Sequence, residues 1–172
     1  MKAAIYPGTF DPPTLGHLNI IQRAASKFDK LVIAIGENPS KGSPAFSLEE
    51  RIQFLKTITA NMANVEIAAF SGLLVDFAKT QGIEIIIRAI RTIFDFENET
   101  LQAQMNRQLG GVETFYLVVD EKCRLISSSL VHKIAFYGKR LIGFVPSEIE
   151  ETVFHRLHCP LLSSLEVEFK GL

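Results

Sequence analysis

Three short stretches carry side chains whose types and spacing suit work on phosphate. The first is Thr14-Leu15-Gly16-His17, which follows a proline-rich run, Tyr6-Pro7-Gly8-Thr9-Phe10-Asp11-Pro12-Pro13. The second is Arg88-Ala89-Ile90-Arg91, two guanidinium groups three positions apart. The third is Ile126-Ser127-Ser128-Ser129, three consecutive hydroxyls. A glycine lets an anion approach the backbone, and an imidazole adds a directional donor. A guanidinium grips two phosphate oxygens as a fork, and serines ahead of a helix bring hydroxyls and free amides. Taken singly, each stretch has an ordinary reading. His17 is then a polar residue at a helix start, the arginines are the solvated end of a strand, and the serines are caps. Function is argued by their joint placement, which depends on the surrounding elements.

Short apolar runs at Ala3 to Tyr6, Leu31 to Ile35, Val65 to Ala68, Ile83 to Ile87 and Phe115 to Val119 read as buried strands with helical patterns between most of them. That alternation predicts an α/β fold, parallel strands joined by crossover helices. The spacing predicts a first helix from His17 to Phe28, with Leu18, Ile21, Ala24, Ala25 and Phe28 on its apolar face and Asn19, Gln22, Arg23 and Lys27 mostly elsewhere. A second helix starts at a capping box of Ser47 and Glu50. A third, Leu73 to Gln81, ends at Gly82, and a fourth, Asp95 to Leu109, stops at Gly110 and Gly111. A fifth runs from Ser127 or Ser128 to Gly138. A sixth follows Pro146 with a second capping-box pair, Ser147 and Glu150. In open parallel sheets the ligand site lies at the carboxyl ends of the strands. All three phosphate-seeking stretches fall there, at the exits of the first, fourth and fifth strands, and together they suit a triphosphate.

Bulk composition narrows the classes. The chain has 172 residues, 47% of them hydrophobic, enough for one core and one domain. Its 18 basic and 19 acidic residues leave a net charge of -1, so no global field recruits nucleic acid or an anionic membrane. Phosphate binding must therefore be local. Cys123 and Cys159 lie far apart without metal-ligand spacing, prolines interrupt the N-terminal stretch, and no apolar run approaches the roughly 18 residues of a membrane span. Reduced thiols and a cytoplasmic location are the expectation. One domain is expected over 1–157, followed by a tail, 158–172, in which Leu165, Val167 and Phe169 alternate like a short strand or belong to a loosely held terminus.

With both motifs in order, the chain resembles the nucleotidyltransferase superfamily, whose members carry [HT]-x-G-H after the first strand and I-S-S-[ST] near the last helix. The segments Tyr6 to Pro12, Pro39-Ser40-Lys41, Leu48-Glu49-Glu50-Arg51, Ile87-Arg88, Asp95-Phe96-Glu97 and Met105-Asn106-Arg107 are similar in order and spacing to the bacterial phosphopantetheine adenylyltransferases. This resemblance implies a doubly wound, five-stranded, Rossmann-like fold and magnesium-dependent use of ATP with 4'-phosphopantetheine as acceptor. It also implies a homohexamer and allows feedback binding of product or coenzyme A. By the same resemblance, His17, Lys41 and Arg88 form the catalytic set, and Thr9 and His17 contact the reacting phosphates. Lys41 and Arg88 hold the acceptor and its phosphate, and Leu74 lines the pantetheine channel. ATP is met by Thr9, Phe10, His17, Ala89, Ile90, Arg91, Glu99, Cys123, Arg124, Leu125, Ile126, Ser127, Ser128 and Ser129. No residue is assigned to a metal, since magnesium rides on the phosphates. The chain departs from the family at Ala89, where glycine is usual, at Asn98, where tyrosine is usual, and through Val119 to Cys123; Gly42-Ser43 lengthens the loop after Lys41.

The chemistry so implied needs no enzyme nucleophile, because the acceptor's own phosphate can attack the α phosphorus of ATP. The protein then supplies position and charge stabilisation. Two rival readings stand beside it: the same chemistry on another acceptor, such as nicotinamide mononucleotide with ATP or glycerol 3-phosphate with CTP, and a non-catalytic nucleotide-binding module.

Overall fold

A computed structural model describes residues 2–37 and 43–158. Lys41, Cys159 and the strand-like tail pattern lie outside the described residues. Five strands, β1 (Ala3–Gly8), β2 (Lys30–Gly36), β3 (Val65–Phe70), β4 (Ile85–Ile90) and β5 (Glu113–Val118), pair in parallel in the order β3-β2-β1-β4-β5. The central strands are continuous apolar runs because both of their faces are covered. Along β2, Leu31, Ile33 and Ile35 join one core, while Val32 and Ala34 join the other. The larger core is closed by α1 (Leu15–Ala25), α2 (Leu48–Ile58), α5 (Ser128–Phe136) and α6 (Ser147–Leu157). On the opposite face, Val75 and Ala78 of α3 (Leu74–Gln81) pack against Ile5, Val32 and Ile86. The longest helix, α4 (Ile93–Gly110), buries no residue completely. None of the described helices is long and apolar enough to cross a membrane.

The expected doubly wound, all-parallel sheet is therefore present. From β1 the chain builds outward through β2 and β3, then crosses back to place β4 on the other side of β1. The order of winding reverses between β1 and β4, and a crevice opens where neighbouring connections leave in opposite directions. Both strands run further than the sequence pattern predicts, β1 to Gly8 and β4 to Ile90, so the sheet carries the first two motifs to the rim of that crevice.

Several helix ends differ from expectation; α4 starts at Ile93, not Asp95, because Thr92 is its N-cap, with Asp95 completing the capping box. The first helix starts at Leu15, not His17, because Thr14 is its N-cap, and it stops at Ala25, short of Phe28. Ile20, which the predicted face omits, is fully buried beside Ile21 and Ala24. The capping box expected at Ser147 and Glu150 does not form: Pro146 occupies the cap position. Glu150 is only 6% exposed and accepts from the Arg140 guanidinium and from the Leu141 amide instead. A carboxylate taken out of water is stabilised far more by a two-pronged cation than by one cap amide. On α2, where Glu50 is nearer solvent, the box forms as predicted: Ser47 N donates to Glu50 at 2.8 Å and Glu50 N to Ser47 Oγ at 3.2 Å.

Candidate active site

The site begins with the way β1 ends. Gly8 is followed by Thr9 and then by Phe10, which adopts a positive φ of 50° and turns its ring wholly into the core. A Cβ on Gly8 would lie 2.9 Å from that ring, so the close turn requires glycine. With Phe10 as its anchor, the loop is pinned from outside. The buried guanidinium of Arg51 donates to the Thr9 carbonyl at 2.9 Å and to Ser47 O at 3.3 Å. The Asp11 carboxylate accepts from the amides of Ala45 and Phe46, each at 3.0 Å. Thr9 itself stays exposed on the cleft.

Thr14 caps α1 reciprocally with His17: the His17 amide donates to Thr14 Oγ1 at 3.3 Å, and the Thr14 amide donates to His17 Nδ1 at 3.0 Å. A backbone N–H can only donate, so Nδ1 is an acceptor and the ring proton sits on Nε2. The ring packs edge-on against Phe10, 5.0 Å between centroids. Burial and the positive charge of Arg91 push its pKa down to about 4. The imidazole is thus neutral at physiological pH and presents an N–H. A Cβ on Gly16 would meet protein atoms only at ordinary contact distance, 3.5 Å from Ile126 O and Thr14 Oγ1. The protein's own packing does not demand glycine there, whereas a close-lying phosphate would.

The arginines at the end of β4 are each gripped by a carboxylate of α4. Glu99 receives Arg88 Nε and Nη2, both at 2.5 Å, and Pro7 O receives Nη1 at 3.4 Å. Asp95 accepts from the Arg91 and Thr92 amides at 3.1 and 3.0 Å and from Arg91 Nη2 at 3.5 Å. The charge of Arg91 and these amide donors hold the Asp95 carboxyl below its usual range, against the opposing effect of its burial. Arg91 Nη1 also reaches Ile126 O at 3.4 Å. Ala89, between them, faces the larger core and borders the cleft.

At the third motif the ordinary reading holds for two serines. Ser127 Oγ caps α5 by accepting from the Leu130 amide at 3.1 Å, and Ser128 Oγ donates to Pro12 O at 2.8 Å, tying α5 to the first loop. Ser129 lines the cleft with them.

The crevice is a cleft of about 810 Å³. It gathers Thr9, Thr14, Gly16, His17, Arg88, Ala89, Arg91, Glu99, Ile126 and the three serines, together with Leu74. Five residues expected on ATP by resemblance do not line it: Phe10 is core, and Ile90, Cys123, Arg124 and Leu125 lie off its wall. The Cys123 thiol is buried against Leu15 O at 3.8 Å, Arg124 pairs with Glu121 at 3.7 Å, and Leu125 is 81% exposed. One end of the cleft holds amides, His17, Arg91 and Ser129. The other is an apolar arm walled by Phe70, Leu73, Leu74, Val75, Met105 and Leu109, with Gln102 and Asn106 as polar points. On the α4 side the sequence assigns a role to Glu99 alone, yet Gln102, Met105, Asn106 and Leu109 follow it at helical spacing on the same face. Arg51 and Asp11 were also missed, because their partners are backbone groups far away in sequence.

The cytidylyltransferase-like family matches residues 5–134. A phosphopantetheine adenylyltransferase of Natranaerobius thermophilus is 45% identical over 157 residues, 91% of this chain and 96% of the relative. One from Rhizorhabdus wittichii is 46% identical over 158 residues, 91% and 95% of the two chains. The crystal structure of a Vibrio parahaemolyticus protein, provisionally assigned as a nicotinate-nucleotide adenylyltransferase, superposes with a TM-score of 0.63 at 17% identity, covering 89% of this chain and 99% of that one. At that identity the likeness concerns the fold alone.

Proposed function

The chain belongs to the cytidylyltransferase-like family, among its phosphopantetheine adenylyltransferases, and we propose that the cleft between β1 and β4 transfers the adenylyl group of ATP to 4'-phosphopantetheine. The observation that carries this reading is the lining of that cleft of about 810 Å³: His17, Arg88, Arg91 and the three serines share it with the apolar side chains Phe70, Leu73, Leu74, Val75, Met105 and Leu109.

An oxygen of the acceptor's 4'-phosphate attacks the α phosphorus, the bond from that phosphorus to the bridging β oxygen breaks, and pyrophosphate leaves with the electron pair. The attacking phosphate is already anionic at neutral pH, so no proton has to be removed from it. A neutral His17 held by Thr14 suits donation from Nε2 to the phosphoryl oxygens as charge shifts. Arg91 and the first-turn amides of α1 and α5 bind the triphosphate, while Arg88, with Lys41, takes the acceptor phosphate. Leu74 and its apolar neighbours hold the pantetheine arm. Magnesium supplies charge neutralisation on the triphosphate. It would be held through phosphate oxygens and water, since magnesium keeps several waters and shares oxygens with the phosphates it neutralises.

A homohexamer in the cytoplasm completes the proposal. Ile93, Phe94 and Leu101 on α4, and Phe115 and Val118 on the two faces of the edge strand β5, are exposed apolar side chains at this side of the sheet that a second copy would cover. Product and coenzyme A share the pantetheine arm and would compete for the same cleft. The decisive assay is pyrophosphate release with ATP or CTP against phosphopantetheine, nicotinamide mononucleotide and glycerol 3-phosphate. Preferred turnover of ATP with phosphopantetheine supports the reading; faster turnover of another pair replaces it.

A further inference from the structure

We propose that His132 is a positioning residue: from the second turn of α5 it holds the loop that follows β1, and so sets the separation between the two halves of the site. This deepens, and rests on, the adenylyl-transfer reading above, whichever acceptor is used. The segment from Thr9 to Pro12 belongs to no strand or helix, so its carbonyls must find partners elsewhere. Three of them find side-chain donors. Thr9 O accepts from Arg51 Nη1 of α2 at 2.9 Å, Asp11 O from His132 Nε2 of α5 at 2.9 Å, and Pro12 O from Ser128 Oγ of α5 at 2.8 Å. A carbonyl oxygen can only accept, so His132 carries a proton on Nε2.

His132 and Ser128 stand four positions apart and so lie one above the other on α5. Among the described residues, theirs are the hydrogen bonds that join the loop to this helix. Val131 and Ala135, also four apart, are fully buried in the core, so α5 is fixed on both counts. The two donors differ in one respect. Ser128 lines the cleft, whereas His132, one turn further along, does not. His132 therefore bears on the reaction only through Asp11 O and the loop. That loop carries Thr9 to the cleft and leads through Thr14 into the first turn of α1, where His17 sits. On the other side, α5 brings Ser129 and its own first-turn amides. In-line transfer needs both sets at a fixed separation, and a displacement of about 1 Å costs up to roughly a hundredfold in rate.

The test compares His132→Leu, His132→Asn and His132→Gln with the unaltered chain in steady-state pyrophosphate release, using the nucleotide and acceptor that the unaltered chain turns over fastest. Denaturant titration of each variant runs alongside. The glutamine amide nitrogen reaches the place of Nε2, while the shorter asparagine does not. His132→Leu and His132→Asn are expected to lower kcat about tenfold with KM for each substrate changed less than about twofold, and His132→Gln to keep kcat within about twofold of the original. A residue serving the fold alone would alter stability and leave kcat per folded molecule unchanged. Nitrogen-detected NMR of the free protein should find His132 protonated on Nε2, a readout independent of activity. Full kcat in His132→Leu, no advantage of His132→Gln over His132→Asn, a rise in KM matching the loss of kcat, or an Nδ1–H tautomer would each overturn the proposal. Should His132→Leu not fold, the contrast between glutamine and asparagine decides. If the unaltered chain turned over no pair at all, the adenylyl-transfer reading would fail first, without any variant, and the proposal would fall with it.

Discussion

The Thr14 amide points its hydrogen at His17 Nδ1 across 3.0 Å, and this contact decides which nitrogen of the imidazole carries the proton. Helix capping and the chemistry of the site are therefore one arrangement. The cap fixes the ring, and the ring offers Nε2–H to the cleft.

The first prediction follows from that arrangement. Nitrogen-detected NMR should find His17 as the Nε2–H tautomer from pH 8 down to about 5, with a midpoint near 4, the value to which burial and Arg91 lower it from 6.5. Between those two values the unfolded chain binds more protons than the folded one. This group's contribution to stability is thus complete above about 6.5 and is lost as pH falls toward 4. A midpoint above 6 would mean that the imidazole is exposed and not held by Thr14.

Replacing His17 by alanine should lower kcat by roughly a hundredfold to a thousandfold, the usual effect of losing one preorganised donor, with KM for both substrates little changed. The pH profile of the unaltered enzyme should show no ascending limb between pH 6 and 8 from His17, since it works neutral throughout. Parallel losses in KM and kcat would show instead that His17 binds substrate and transition state alike.

Arg88→Lys should weaken phosphopantetheine binding by about tenfold or more while leaving ATP binding nearly intact, because an ammonium cannot bond Glu99 side-on and still offer two adjacent donors. Isothermal titration calorimetry with each substrate separately would check this. Full affinity in Arg88→Lys would show that charge alone suffices. The lysine variant is more informative than Arg88→Ala, which leaves Glu99 without its cation.

Arg51 is 4% exposed, and its hydrogen bonds go to the Thr9 and Ser47 carbonyls. Arg51→Met should destabilise the fold by about 1–3 kcal/mol in denaturant titration, since it strips two carbonyls of a shared charged donor. It should also lower kcat, because Thr9 lies on the loop that Arg51 pins. Unchanged stability with lowered kcat would relocate Arg51 to the substrate itself.

The course of the strands and the positions of the phosphate-seeking residues were legible from local pattern. Runs such as Leu31 to Ile35 and Ile83 to Ile87 can be buried on both faces, and glycine at 82 and 111 closes helices with φ of 63° and 67°. These are near-neighbour effects, decided within a few residues by periodicity, β-branching and backbone freedom. The reciprocal cap of Thr14 and His17 lies within that range too, although the starting residue of the helix was misread by two positions.

Partnership across the chain was not legible. Nothing local tells Glu50 from Glu150: both stand three residues after a serine, yet one completes a helix cap while the other turns to Arg140 because its helix packs that carboxylate inward. Likewise the sequence leaves the partners of Glu99, Arg51 and Asp11 unassigned, and the sheet order brings Arg88, Thr9 and the Ala45-Phe46 amides beside them. By itself the sequence determined an α/β chain with its phosphate-binding groups at strand exits. Only the tertiary structure decided which charges meet, because burying a charge is tolerable only where a partner from elsewhere in the chain arrives to meet it.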